Sequence, residues 1–187
     1  IGRAVEDWRY FLSQKVNVQI AINLPIAFLR DSGSVDDLCR QMPVHPAFDG
    51  LIVEINGTEV IRNLDLAKEV ARQLRFHNIA IAIDDLGAEW PQFSGLADFP
   101  FVEIKVDRKF VSGCADDRLK QSVCRRILQL ADGYGARTVA EGVETKADFL
   151  AVRDMGFDKV QGFYFARPSM AKNFVRSLQD GPVSLPN

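Results

Sequence analysis

The sequence predicts an α/β fold on a parallel sheet, a variant of the eightfold β/α barrel with about six of eight strands in its 187 residues. Three observations carry that prediction. Apolar, β-branched segments recur along the chain, and each is followed by apolar residues at helical spacing. The repeat of roughly 20 to 35 residues suits parallel strands joined by right-handed crossovers. An eightfold barrel typically needs about 250 residues. Six units in 187 residues therefore read as one domain over 1–187 that lacks its first two strands.

Residues Ile1 to Lys15 read as a helix, and the first strand segment follows at Val16 to Leu24. After the second, Leu51 to Ile55, Asn63 is the expected N-cap of a helix carrying Leu66, Ala67, Val70, Ala71 and Leu74 at helical spacing, closed by Asn78. Ile79 to Ile83 is a short apolar run of the kind buried on both faces of a parallel sheet. Beyond the fourth segment, Phe101 to Val106, either Asp116 or Asp117 caps a helix through Leu119, Val123, Ile127 and Leu130, stopped by Gly133 and Gly135. Arg137 to Val143 is the fifth. Thr145 then precedes Phe149, Val152 and Met155, with Gly156 past the helix end. Lys159 to Ala166 is the sixth, and Ser169 opens a last helix through Phe174 and Leu178. The alternative is an open doubly wound sheet, although no Gly-x-Gly-x-x-Gly turn follows any strand.

Composition narrows the function classes. Hydrophobic residues make up 47% and charged residues 26% of the chain, enough for a full globular core. A net charge of −2 from 23 basic and 25 acidic residues, with no basic cluster, argues against DNA or RNA as a partner. No apolar stretch reaches membrane-span length, and no signal-peptide pattern opens the sequence. Cys39, Cys114 and Cys124 lack metal-ligand spacing and suit a reducing compartment, so a cytoplasmic domain is expected, including the cytosolic part of a larger or membrane-anchored protein. His45 and His77 have no partner at zinc-site spacing.

Every strand segment ends in polar residues: Asn23; Glu54; Asp84 with Asp85; Lys105 with Asp107; Glu141 with Glu144; and Gln161. Residues two apart share a face of a strand, so Lys105 and Asp107 fall with Glu103, while Val102, Ile104 and Val106 take the other side. By the same alternation Asn23 falls with Ala21 and Gln19, and Asp84 with Ala82 and Ala80. Active sites of parallel α/β folds lie at the carboxyl ends of the strands, which brings this polar set to one mouth. Four or more carboxylates in one space call for compensating positive charge. Hard oxygen ligands suit magnesium or manganese, and two adjacent aspartates can serve two ions in phosphodiester cleavage. Lys105 supplies a fixed cation for the attacking water or the developing charge. Taken singly the same residues have plainer uses: Asp84 or Asp85 as a helix cap, Asn23 before Leu24-Pro25 as turn chemistry, Glu144 at a helix N-terminus.

In order and spacing, the segments AINL, LIVEI, IAIDDLG, EIKVDRKFV, VAEGVET and QGFYFARP resemble the EAL domain of bacterial cyclic di-GMP signalling. AEGVE followed by QGFYFARP is the specific part, and the resemblance covers essentially the whole chain. It implies a variant β/α barrel that binds cyclic di-GMP and, in active members, hydrolyses one phosphodiester bond to linear pGpG with Mg²⁺ or Mn²⁺, two ions in the active form. By the same resemblance Asn23, Glu54, Asp84 and Asp85 are metal ligands, with Asp85 also catalytic. Lys105 and Glu141 position or activate the water, and Asp107, Glu144 and Gln161 support the site or bind substrate. Expected partners are cyclic di-GMP, a second copy in a homodimer, and upstream sensory, receiver or GGDEF-type domains.

Three departures accompany the resemblance. The Glu-Ala-Leu tripeptide that names the family lies upstream of Ile1 in the usual layout. The loop usually written Asp-Asp-Phe-Gly-Thr-Gly-Tyr-Ser-Ser here reads DDLGAEWPQ, so Ala88, Glu89 and Trp90 replace its glycine-rich part. The glutamate that usually anchors this loop is Gly57, with Thr58-Glu59 as a shifted substitute. Retention of the strand-end residues favours a phosphodiesterase in the complete parent domain, this segment alone being inactive. The rebuilt loop favours a receptor that binds without cutting, and a regulatory interaction domain that has lost the nucleotide is the third reading.

Overall fold

The computed structural model describes residues 1–88, 90–93 and 99–179. Six strands, β1 (Ile20–Asn23), β2 (Leu51–Asn56), β3 (Ile79–Leu86), β4 (Glu103–Val106), β5 (Arg137–Glu141) and β6 (Lys159–Gln161), form one parallel sheet in sequential order. A doubly wound sheet reverses its strand order at a switch point, and this one does not, which removes that alternative. Neighbouring strands lie about 4.8 Å apart, so side chains two strands away meet only across a concave face. Lys105 on β4 reaches Glu54 on β2 at 2.9 Å, and Glu103 on β4 reaches Lys159 on β6 at 2.7 Å. The sheet is therefore curled, a half-barrel with its polar face inside.

Nine helices are present among the described residues: α1 (Gly2–Ser13), α2 (Ile26–Leu29), α3 (Ser32–Arg40), α4 (Gly57–Arg62), α5 (Leu64–Arg75), α6 (Arg108–Val111), α7 (Arg118–Tyr134), α8 (Lys146–Met155) and α9 (Ala171–Gln179). The strand residues of opposite parity, Val53, Ile55, Ile81, Ile83, Ile104 and Val106, are buried with Val70, Ala71, Leu74 and Ile127 of α5 and α7 in one core. Transfer of such side chains from water stabilises by about 1.5 to 3 kcal/mol each. Local signals place the helix ends. Asp117 accepts from Leu119 N and Lys120 N to start α7, Thr145 accepts from Asp148 N to start α8, and Gly135 and Gly156 end them in the left-handed region at φ 64° and 96°.

Several expected boundaries move. Asn63 stands before α5 but its amide donates to Glu59 O at 2.9 Å instead of capping the helix, and Gly133 lies inside α7. The fifth strand stops at Glu141 because Gly142 turns the chain at φ 71°. The sixth stops at Gln161. A Cβ on Gly162 would lie 2.0 Å from Val143 O, and Tyr164 N donates to that same carbonyl at 3.0 Å, so residues 162–166 turn under α8 and stack Tyr164 on Phe149. The last helix begins at Ala171, past Pro168-Ser169. Helix α3 was not expected, although Asp31 caps it through Ser34 N and Val35, Leu38 and Cys39 give it a buried stripe.

Candidate active site at the carboxyl ends of the strands

Successive residues of a regular strand point to opposite faces, so Asp84 and Asp85 should diverge. They converge because β3 carries one extra residue there: Ile83 pairs with Ile104 and Leu86 with Val106, three steps against two. Asp85 takes up the difference at φ 54°, an uncommon conformation for a residue other than glycine. Carboxylate oxygens of Asp84, Asp85 and Glu141 then all lie within 4.8 Å of one another.

Lys105 is the cation at the centre. Its Nζ lies 2.7 Å from Glu141 Oε1, 2.9 Å from Glu54 Oε2 and 3.3 Å from Asp84 Oδ1, with its side chain 6% exposed. Burial pulls its pKa down, but the hydrogen bonds and charges of Glu141 and Glu54 more than reverse this, so Lys105 stays protonated. One ammonium does not balance four carboxylates. Glu141 is pushed up to about 7, first by burial and then by the charges of Asp84 and Asp85, against the opposing pull of Lys105. Asp85 is raised by burial, then by Asp84 and Asp107. Among the described residues Asp84 Oδ1 is buried with no hydrogen-bond partner, its 3.3 Å approach to Lys105 notwithstanding. Surplus carboxylates, an unsatisfied buried oxygen and hard donors alone make a site that fits a divalent cation.

The remaining predicted residues fall into two groups. Asn23 pairs with Glu54 in register and ends exposed at the same level, and Gln161 pairs with Glu141. Asp107 and Glu144 do not join the carboxylate cluster. Asp107 caps α6 through Lys109 N at 2.8 Å and pairs with Lys109 Nζ at 2.7 Å. Glu144 pairs with Arg108 at 2.6 Å. Arg108 was missed from sequence; its side chain covers Gly142, where a Cβ would lie 2.2 Å from Arg108 Cγ.

The loop after β3 is set by packing. A Cβ on Gly87 would strike the Phe110 ring at 2.4 Å. Gly57 is buried at the start of α4, where a Cβ would touch Ile83 and Leu86 at 3.4 Å, directly under the two aspartates. Glu59 does not substitute for a side chain there: its Oε2 accepts from Ile26 N at 3.0 Å and so holds the β1–α2 turn. Ala88 is exposed in the turn, Trp90 begins a 3-10 turn over Trp90–Phe93, and Glu89 lies outside the described residues.

Comparison with known proteins gives a consistent result. The EAL domain profile matches residues 1–168. Cyclic di-GMP phosphodiesterase PdeR of Escherichia coli is 30% identical over 178 residues, 94% of this chain, which spans 26% of that protein's length. The PaMucR phosphodiesterase in its c-di-GMP complex superposes with a TM-score of 0.83 at 28% identity, covering 92% of this chain and 71% of that one. A manganese and cyclic di-GMP complex of Klebsiella pneumoniae BlrP1 superposes with a TM-score of 0.77 at 28% identity, covering 91% of this chain and 43% of that one.

Proposed function

This chain belongs to the EAL domain family, and from that membership we propose that it binds cyclic di-GMP and, in its parent protein, hydrolyses one phosphodiester bond to linear pGpG. The observation that carries the proposal is the convergence of Asp84, Asp85 and Glu141 within 4.8 Å around a buried Lys105. Asp84, Asp85 and Glu54, with the Asn23 amide oxygen, would hold Mg²⁺ or Mn²⁺. Bound there, such ions supply charge neutralisation at the phosphate and water of lowered pKa. Lys105 holds a fixed positive charge where negative charge develops, in a site dry enough for that charge to count. Glu141, with its pKa raised to about 7, can accept a proton near neutral pH. Gln161 would orient substrate from the neighbouring strand. Asp107 and Glu144 would support the site indirectly, by fixing the turns that follow Lys105 and Glu141. The proposal extends to a cytoplasmic setting, a homodimer, and sensory, receiver or GGDEF-type domains in the parent protein. No described helix is long and apolar enough to cross a membrane.

One observation favours a second reading, a receptor that binds without cutting. Glu59 is committed to Ile26 N, so no carboxylate of α4 reaches the loop after β3 among the described residues. Binding needs only ground-state contacts, whereas hydrolysis needs water, Lys105 and ions held as charge develops. Calorimetry of the parent protein with cyclic di-GMP, followed by its single-turnover hydrolysis in Mn²⁺, separates the readings. Binding with turnover supports the enzyme, binding without turnover the receptor, and absence of binding removes both.

A further inference from the structure

A second charged layer lies inside the half-barrel, one inward position below Lys105. Glu103, on the same face of β4 and 4% exposed, accepts from Lys159 Nζ at 2.7 Å, and Arg137 Nε approaches the same oxygen at 3.6 Å. Lys159 lies two residues before Gln161 on β6, and Arg137 opens β5 opposite Glu103 in register. Glu103, Lys105 and Lys159 line one cavity of about 190 Å³ with Gln19, Glu54 and Gln161.

Residues two apart on a strand are about 6 to 7 Å apart along the backbone, within the swing of a lysine side chain. A charged Glu103 is therefore a competitor for the Lys105 ammonium, which already contacts Glu54, Asp84 and Glu141. A buried carboxylate left unpaired is costly and takes any cation in reach. Lys159 and Arg137 satisfy it from the opposite side.

We propose that Lys159, seconded by Arg137, is a positioning residue: by holding the Glu103 carboxylate it leaves the Lys105 ammonium to the carboxylates at the strand ends. The catalytic consequence rests on the phosphodiesterase reading above, whereas the placement of Lys105 does not. Lys105 contacts the strand-end carboxylates directly; Lys159 acts through Glu103.

In the parent protein, the test compares wild type, the double variant Arg137→Met/Lys159→Met, and the triple variant that adds Glu103→Gln. Crystal structures read the position of Lys105 Nζ, and hydrolysis of cyclic di-GMP in Mn²⁺ reads its consequence. In the double variant Nζ should leave Glu141 for Glu103, and the catalytic constant should fall by at least about tenfold with KM changed less. Adding Glu103→Gln should return Nζ to Glu141 and restore most of the rate. A purely architectural role for the lower layer predicts a triple variant as impaired as the double. That result, or a double variant in which Nζ stays on Glu141, overturns the proposal. Should the double variant not fold, Lys159→Gln alone is compared with Glu103→Gln/Lys159→Gln by the same two readouts. A wild-type parent protein without hydrolysis would count against the phosphodiesterase reading, and the position of Nζ would still decide this one.

Discussion

The two charged layers inside the half-barrel are built from the same residue types and balance differently. In the lower layer one carboxylate, Glu103, meets two cations, Lys159 and Arg137. In the upper layer Glu54, Asp84, Asp85 and Glu141 share one cation, Lys105. A satisfied buried group is compatible with a purely scaffolding role. A surplus of buried like charge persists only where something else compensates it; here burial first, reinforced by the charges of Asp84 and Asp85, raises Glu141 to about 7, and Asp84 Oδ1 has no hydrogen-bond partner among the described residues. Charge imbalance, more than burial or polarity, separates the candidate site from its support.

The largest effect should come from removing the upper cation. Lys105→Met leaves buried carboxylates uncompensated and should destabilise the metal-free chain by about 3 to 5 kcal/mol. In the parent protein the same substitution should lower the proposed hydrolysis rate by at least about a hundredfold. Mn²⁺ should recover part of the stability in denaturant titrations. Lys159→Met in the lower layer should cost only about 1 kcal/mol, since Lys159 is half-exposed and Arg137 remains beside Glu103. Equal losses at the two lysines would break the comparison.

Rebuilding the loop above the upper layer should have a smaller effect. In the complete parent domain, Gly57→Glu with Ala88→Thr, Glu89→Gly and Trp90→Tyr should raise the catalytic constant by at least about tenfold, or roughly 1.4 kcal/mol of transition-state stabilisation. A single-turnover rate in the wild type equal to that of the rebuilt chain would remove the loop as a limit and, with it, the main support for a receptor.

The pH response acts on stability rather than on rate. Glu141 is raised from 4.5 to about 7 in the folded chain, so the folded state holds its proton more tightly than the unfolded state. Its contribution to metal-free stability is full below pH 4.5 and is lost as pH rises to about 7. Thermal unfolding of wild type against Glu141→Gln across that window should show the slope only in the wild type, and Mn²⁺ should flatten it. The smallest effect is expected outside both layers, where Arg108→Ala breaks an exposed pair with Glu144 and should change stability by less than about 1 kcal/mol.

Much of this was legible in the sequence, for definite reasons. Alternation on β4 places Glu103 and Lys105 on one face, and the polar strand ends alone single out Asn23, Glu54, Asp84, Asp85, Glu141 and Gln161. Where local chemistry could claim a residue, it did: Asp107 became a helix cap, and Glu144 paired with Arg108 from the neighbouring turn. The means by which Asp84 and Asp85 converge was hidden, because a bulge belongs to the pairing of β3 with β4, not to either segment alone. The lower layer was hidden for a similar reason. Lys159 meets Glu103 across an intervening strand, and only curvature brings them to 2.7 Å.

The central claim is that surplus negative charge in the upper layer makes a divalent-cation site centred on Asp84. Calorimetric titration of Mn²⁺ into wild type and Asp84→Asn tests it most directly, because it reads the ion and needs neither nucleotide nor turnover. The account predicts measurable binding to wild type and an affinity at least about tenfold lower in the variant, a difference of roughly 1.4 kcal/mol or more. Equal affinity in the two proteins would contradict it.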